Sequence, residues 1–123
     1  MSISKAFDTD RTGRTLVLMP RGSVSSLAGE DVGSELNRLL EELCPPGPTN
    51  VVIDFAKAAY FGTVMLGAMH LIWRRVRDQQ GKMALCNLSE MGREILRVSG
   101  VDVLWPICLT REEALEEIEK GND

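Results

Sequence analysis

The chain is poor in the residue types that most often carry chemistry. One histidine, His70, and three cysteines, Cys44, Cys86 and Cys108, stand among 123 residues. The cysteines are odd in number and far apart, without a C-x-x-C pair. Neither a disulfide framework nor a zinc site is suggested, and a reducing cytosol is the simplest setting. No apolar run reaches the roughly 18 residues that a membrane span needs. The opening Met1-Ser2-Ile3-Ser4-Lys5 lacks the apolar stretch of a secretion signal. Positive charge is also short: 14 Lys+Arg face 18 Asp+Glu, a formal net charge of −4. That balance argues against nucleic acid, whose binders need a basic surface to displace counterions. The expectation is a cytoplasmic protein without direct membrane insertion and without a nucleic-acid partner.

What is present suits one ordinary globular domain. An apolar fraction of 44% and a charged fraction of 26% can bury a core, and the length fits one domain over 1–123, not two. The pattern predicts a short strand near Ile3 to Phe7, then a break at Asp8-Thr9-Asp10-Arg11-Thr12-Gly13 that supports a hairpin. Thr15 to Met19 reads as a strand buried on both faces. Val32, Leu36, Leu39, Leu40 and Leu43 fall at helical spacing, and Cys44-Pro45-Pro46-Gly47-Pro48 stops that helix. Val51 to Phe55 is the clearest strand. A second helix is expected from Thr63 to Gln79, buried through Met65, Leu66, Met69, Ile72, Trp73 and Val76 and capped by Gly81. Met83 to Cys86 follows as a strand. A third helix, capped by Asn87 or Ser89, should turn Met91, Ile95 and Val98 inward and end at Gly100. Val101 to Leu109 completes the strands, and Thr110-Arg111-Glu112-Glu113 is a capping box for a last helix carrying Ala114, Leu115 and Ile118 inward. The order ββαβαβαβα means an α/β domain with parallel pairs in its sheet.

Catalytic and metal-binding patterns are sparse. His70 lies beside an apolar stripe with no nucleophile elbow and no cysteine partner, which suits a boundary residue. Asp54 ends a buried strand, but no second carboxylate is close enough in sequence to share a metal, and no metal site is expected. The chain lacks a Walker loop and a G-x-G-x-x-G fingerprint, so no cofactor is implied. Gly62 and Gly67 flank a helix start, as in a phosphate cradle, yet close packing of helix on sheet selects glycine too. Cys86 reads as inert core. Arg74, Arg75, Arg77 and Lys82 complement a helix C-terminus, and Glu112, Glu113, Glu116, Glu117 and Glu119 read as the wet face of the last helix. Trp73 is assigned to the core, and Trp105 stays open between core and contact. A binding module, not an enzyme, is the expected class.

The residues also carry a resemblance. Val51-Val52-Ile53-Asp54-Phe55 followed by Tyr60-Phe61-Gly62-Thr63-Val64-Met65-Leu66-Gly67 is similar to the strand, turn and helix start of STAS domains, usually written F-M-D-S-S-G-L-G. Leu88 to Ile107 resembles the family's third helix and last strand, and Thr110 to Leu115 the T/S-x-E-E-A-L opening of its final helix. The likeness runs over about 14–119. It implies a STAS-like fold: a mixed central sheet with helices packed mainly on one face. It also implies an anti-sigma-factor antagonist, whose partner is an anti-sigma factor with a histidine-kinase-like ATPase fold. The motif departs from the family at several positions. Gly62 replaces the acid, Thr63 and Val64 the two hydroxyl residues, and Met65 the first glycine, while Leu66 and Gly67 survive. Ser25 replaces an aspartate common in the loop after the second strand. Of the hydroxyl pair only Thr63 could accept phosphate, and it could equally be a plain helix cap. The resemblance assigns partner binding to Gly62, Thr63, Val64 and Met65, with Ser23 and Ser25 from the neighbouring loop. An alternative, suggested by STAS domains with eroded motifs, is a fixed subunit binding a transport ATPase or permease. A small-ligand or nucleotide site is a third reading.

Overall fold

Two residues reverse the chain at Gly13 and Arg14, because Gly13 adopts φ +59 where a side chain would be strained. On either side run β1 (Phe7–Thr12) and β2 (Thr15–Pro20), paired antiparallel from Thr12↔Thr15 to Phe7↔Pro20. The computed structural model describes residues 7–21, 29–43, 47–58 and 62–121. The expected strand start at Ile3 and most of the helix stop at 44–48 therefore lie outside the described residues. The predicted break over Asp8–Thr12 is instead strand. β1 is an edge that shows solvent everywhere but Phe7, so polar residues are tolerated, and pairing to the buried β2 overrides their low strand propensity.

The remaining elements are α1 (Gly29–Glu42), β3 (Asn50–Asp54), α2 (Thr63–Asp78), β4 (Met83–Cys86), α3 (Glu90–Ser99), β5 (Ile107–Cys108) and α4 (Arg111–Gly121). The five strands lie in the order β1-β2-β3-β4-β5, with every pair after the first parallel. The inner strands β2, β3 and β4 are buried on both faces, which is why they read as unbroken apolar runs. One face of the sheet (Leu16, Leu18, Val51, Ile53, Leu85) packs against Leu36, Leu39 and Leu43 of α1, Met65, Met69, Ile72 and Val76 of α2, and Leu96 of α3. The other face (Val17, Val52, Ala84, Cys86) is covered by Ala114 and Ile118 of α4. Each large aliphatic so buried stabilises by about 1.5–3 kcal/mol.

Four local expectations need correction. Gly81 does not cap α2: Gln79 is the cap residue and Gln80 takes the left-handed φ of 61. The amides of Gln80 and Gly81 donate to the Arg77 and Val76 carbonyls at 2.9 and 2.8 Å, a Schellman closure. Gly81 is required instead because a Cβ there would sit 1.8 Å from the Thr49 carbonyl oxygen. In α3 the inward residues are Gly92 and Leu96, with Ile95 half-buried, whereas Met91 and Val98 are 56% and 73% exposed. β5 keeps only two of the nine residues expected, because Val101 and Trp105 turn into the core and leave Val103 and Leu104 outside. Finally, the N-cap of α2 is Gly62, so Thr63 is the first helical residue and not the cap.

Candidate functional site

The carboxyl ends of the parallel strands gather the side chains that sequence spacing kept apart. Asp54, the last residue of β3, is 3% exposed. One carboxylate oxygen accepts from the Ala56 amide and from Asn87 Nδ2, both at 2.9 Å, and the other accepts from Arg111 Nε at 3.0 Å. Burial alone would raise the Asp54 pKa; the bonds from Asn87, Ala56 and Arg111 outweigh it and hold the carboxyl below its ordinary value. Asn87 adopts φ 57, a conformation that asparagine tolerates better than most residues. Arg111, at the start of α4, also reaches Asp10 of β1 at 3.7 Å and the Met19 sulfur at 3.0 Å. Asp54 is therefore spent on protein partners. Among the described residues no group of His, Cys, Asp or Glu is placed to hold a metal ion.

This cluster holds the root of the turn that leads to α2. Phe55 N–H donates to the Cys86 carbonyl and Ala58 N–H to that of Phe55, each at 3.0 Å, and Ala58 is buried. Alongside, Asp8 accepts from Arg21 at 2.7 Å and from Lys57 at 3.4 Å. Tyr60 and Phe61 lie outside the described residues, as do Ser23 and Ser25. The helix then opens at Gly62, whose backbone is extended, with no side-chain cap bond and no acid in the first turn. Thr63 and Val64 are described through their backbone, which begins the helix. Met65 is 0% exposed and belongs to the core: its position turns it onto the sheet, so it is not a contact residue. Gly67 is exposed, and among the described residues a Cβ at either Gly62 or Gly67 would meet nothing within 4 Å. Close packing, offered above as a reason for these glycines, is not the reason.

The other candidates resolve simply. His70 is exposed with its ring tilted on Trp105, centroids 5.5 Å apart, and Trp105 is buried. Trp73 is half-buried against the core. Arg75 and Arg77 sit in the last turn of α2, as the dipole favours. The Cys86 thiol is pushed up to about 12 by burial, with the Asp54 charge adding to it, so it is inert at neutral pH. Depressions of about 380 and 260 Å³ lie elsewhere, one beside β1 and one beside Trp73 and Ile118, and neither is lined by described residues of the turn. Among the described residues no helix is long and apolar enough to cross a membrane. The ion cluster of Asp54, Asn87 and Arg111 was invisible in sequence, where its members are separated by up to 57 positions. The charge of Arg111 inside a capping motif was the only hint.

A five-stranded mixed sheet with three helices on one face and one on the other is the fold of a STAS domain. The STAS domain family matches residues 6–114, and the chain belongs to that family. Its sequence likeness within the family is to the anti-sigma-factor-antagonist type. BtrV of Bordetella bronchiseptica, named as a candidate anti-sigma factor antagonist, is 28% identical over 105 residues, 85% of this chain and 87% of that one. A STAS domain protein from Planctomyces limnophilus superposes with a TM-score of 0.78 at 24% identity, covering 92% of this chain and 97% of that chain. The antagonist SpoIIAA in its unphosphorylated form gives 0.78 at 19% identity over 94% and 97%. The phosphorylated form from Bacillus gives 0.67 at 20% over 92% and 99%. At these identities the structures establish the fold.

Proposed function

We propose that this chain is a non-catalytic, cytoplasmic antagonist that binds an anti-sigma factor of histidine-kinase-like ATPase fold through the turn and helix start at 60–67, releasing a sigma factor. The observation that carries this reading is Gly67. Glycine inside a helix costs about 1 kcal/mol relative to alanine, and among the described residues nothing lies within 4 Å of where its Cβ would stand. A partner backbone lying on that surface would require it. We assign Gly62, Thr63 and Val64 to the same contact, with Ser23 and Ser25 added by the family resemblance.

Thr63 is the candidate phospho-acceptor. A phosphate there adds about −1.5 to −2 charges. The first turn of α2 holds no carboxylate to repel it, and a helix start favours an anion. The modification would therefore act on the docked partner through repulsion and desolvation, not on the fold. The test is titration calorimetry with the anti-sigma factor of the same host, comparing wild type with Thr63→Asp. The expected result is binding by wild type, weakened about tenfold or more in the variant, with an unchanged melting temperature. Equal affinity would remove the switch. Failure of wild type to bind, with retention of a transport ATPase or permease instead, would replace the partner.

A further inference from the structure

We propose that the outer face of α3 is a self-association surface, on which two copies of this chain pair antiparallel about a twofold axis. Met91, Ile95 and Val98 of α3 follow one another at the four- and three-residue spacing of a coiled-coil seam, and that spacing reads as an inward stripe. The fold turns Gly92 and Leu96 inward instead. Ile95 is left half-buried at the margin, and Met91 and Val98 are 56% and 73% exposed. Met91 and Val98, one helical heptad apart on the outside, have no cover among the described residues.

The charges on the same helix suggest what the cover is. Glu90 stands in the first turn and Arg97 in the last, with Arg93 and Glu94 between them. Glu94 pairs with Arg97 within the helix, while among the described residues Glu90 and Arg93 form no ion pair. A helix that is acidic at its start and basic at its end complements an antiparallel copy of itself. With Ile95 near the axis, Met91 of each copy packs beside Val98 of the other. Glu90 then lies near Arg97 of the other copy, and Arg93 near its Glu94. A seam of one ten-residue helix is at the small end of interface sizes, so the dimer is concentration-dependent.

Sedimentation equilibrium of the full chain tests this. The weight-average mass should climb from 13.6 kDa toward twice that value as concentration rises. Val98→Asp should weaken the dimer about tenfold or more, and circular dichroism of that variant would verify its fold. Glu90→Arg alone should also weaken it, and adding Arg97→Glu should restore it. A mass of one chain at every concentration would overturn the proposal. So would a dimer indifferent to Val98→Asp, or one that the second charge reversal fails to restore.

Discussion

Three helix starts in this domain are described in detail, and they are not built alike. At α3, Ser89 Oγ accepts from the Gly92 amide at 3.0 Å and Glu90 faces the dipole. At α4, Thr110 Oγ1 accepts from the Glu113 amide at 3.1 Å, and Glu113 reaches back to the Leu109 amide at the same distance. The start of α2 has neither a capping side chain nor an acid. Yet α2 is the longest helix, 16 residues against 10 and 11. Its stability comes from the buried stripe Met65, Ala68, Met69, Ile72 and Val76. With that stripe in place, the first turn is anchored by Met65 and needs no side-chain cap. A bare start on a well-packed helix is what a docking surface needs, whereas α3 and α4 use their first turns to hold themselves.

The comparison breaks most strongly where a stability-bearing group is removed. Asp54→Ala removes the acceptor that Asn87 shares with the half-buried Arg111, whose remaining ion pair among the described residues is the longer one with Asp10, and should cost about 3 kcal/mol in urea denaturation. Its pH dependence has a definite sign. The folded carboxyl is held below its ordinary value, so its contribution is complete above about pH 4. It is lost as the pH falls through the lowered folded value. Wild type should therefore lose stability in that acid window, and the Asp54→Ala variant should lose less. A parallel acid limb in both proteins would show that the carboxylate contributes nothing.

Next in size are the two built caps. Ser89→Ala and Thr110→Ala should each cost about 1 kcal/mol. The losses should add, because the two caps lie on separate helices and share no partner. Neither should alter partner affinity. A fall in affinity for Ser89→Ala would extend the docking surface onto α3 and blur the contrast between the helices.

Much of this fold was legible because its strands are apolar on both faces and its helices carry clear stripes. Element order, the β4 boundaries and the capping motif at Thr110 all follow from residues near one another in the chain. The errors arose where tertiary position overrode local pattern. β1 is a strand despite Asp8 and Asp10, because an edge leaves polar residues wet. Met91 and Val98 face out because α3 turns Gly92 and Leu96 to the core instead. Gly81 is dictated by Thr49, a neighbour 32 residues away. The motif at 60–67 proposes a site from local residues, but its support is not local: Arg111 closes on Asp54 across 57 positions, and no local spacing encodes such a pair. Met65 was misplaced because an apolar residue next to an exposed turn suits either side of a helix, and only packing decides.

Gly67→Ala gives the smallest effect and the sharpest one. The site is exposed, and among the described residues the added methyl meets nothing within 4 Å. Stability should therefore rise by about 0.5–1 kcal/mol, through the better helix propensity of alanine. For a purely structural residue the story would end there, and the substitution would simply improve the protein. If α2 begins bare because another backbone rests on it, the same methyl must lower affinity while the fold becomes more stable. Opposite signs from one methyl group cannot come from damage to the domain. Denaturation and calorimetry on the same variant therefore decide whether the difference between α2 and the two capped helices is a matter of function. A more stable protein with undiminished affinity would make the bare start an accident of sequence.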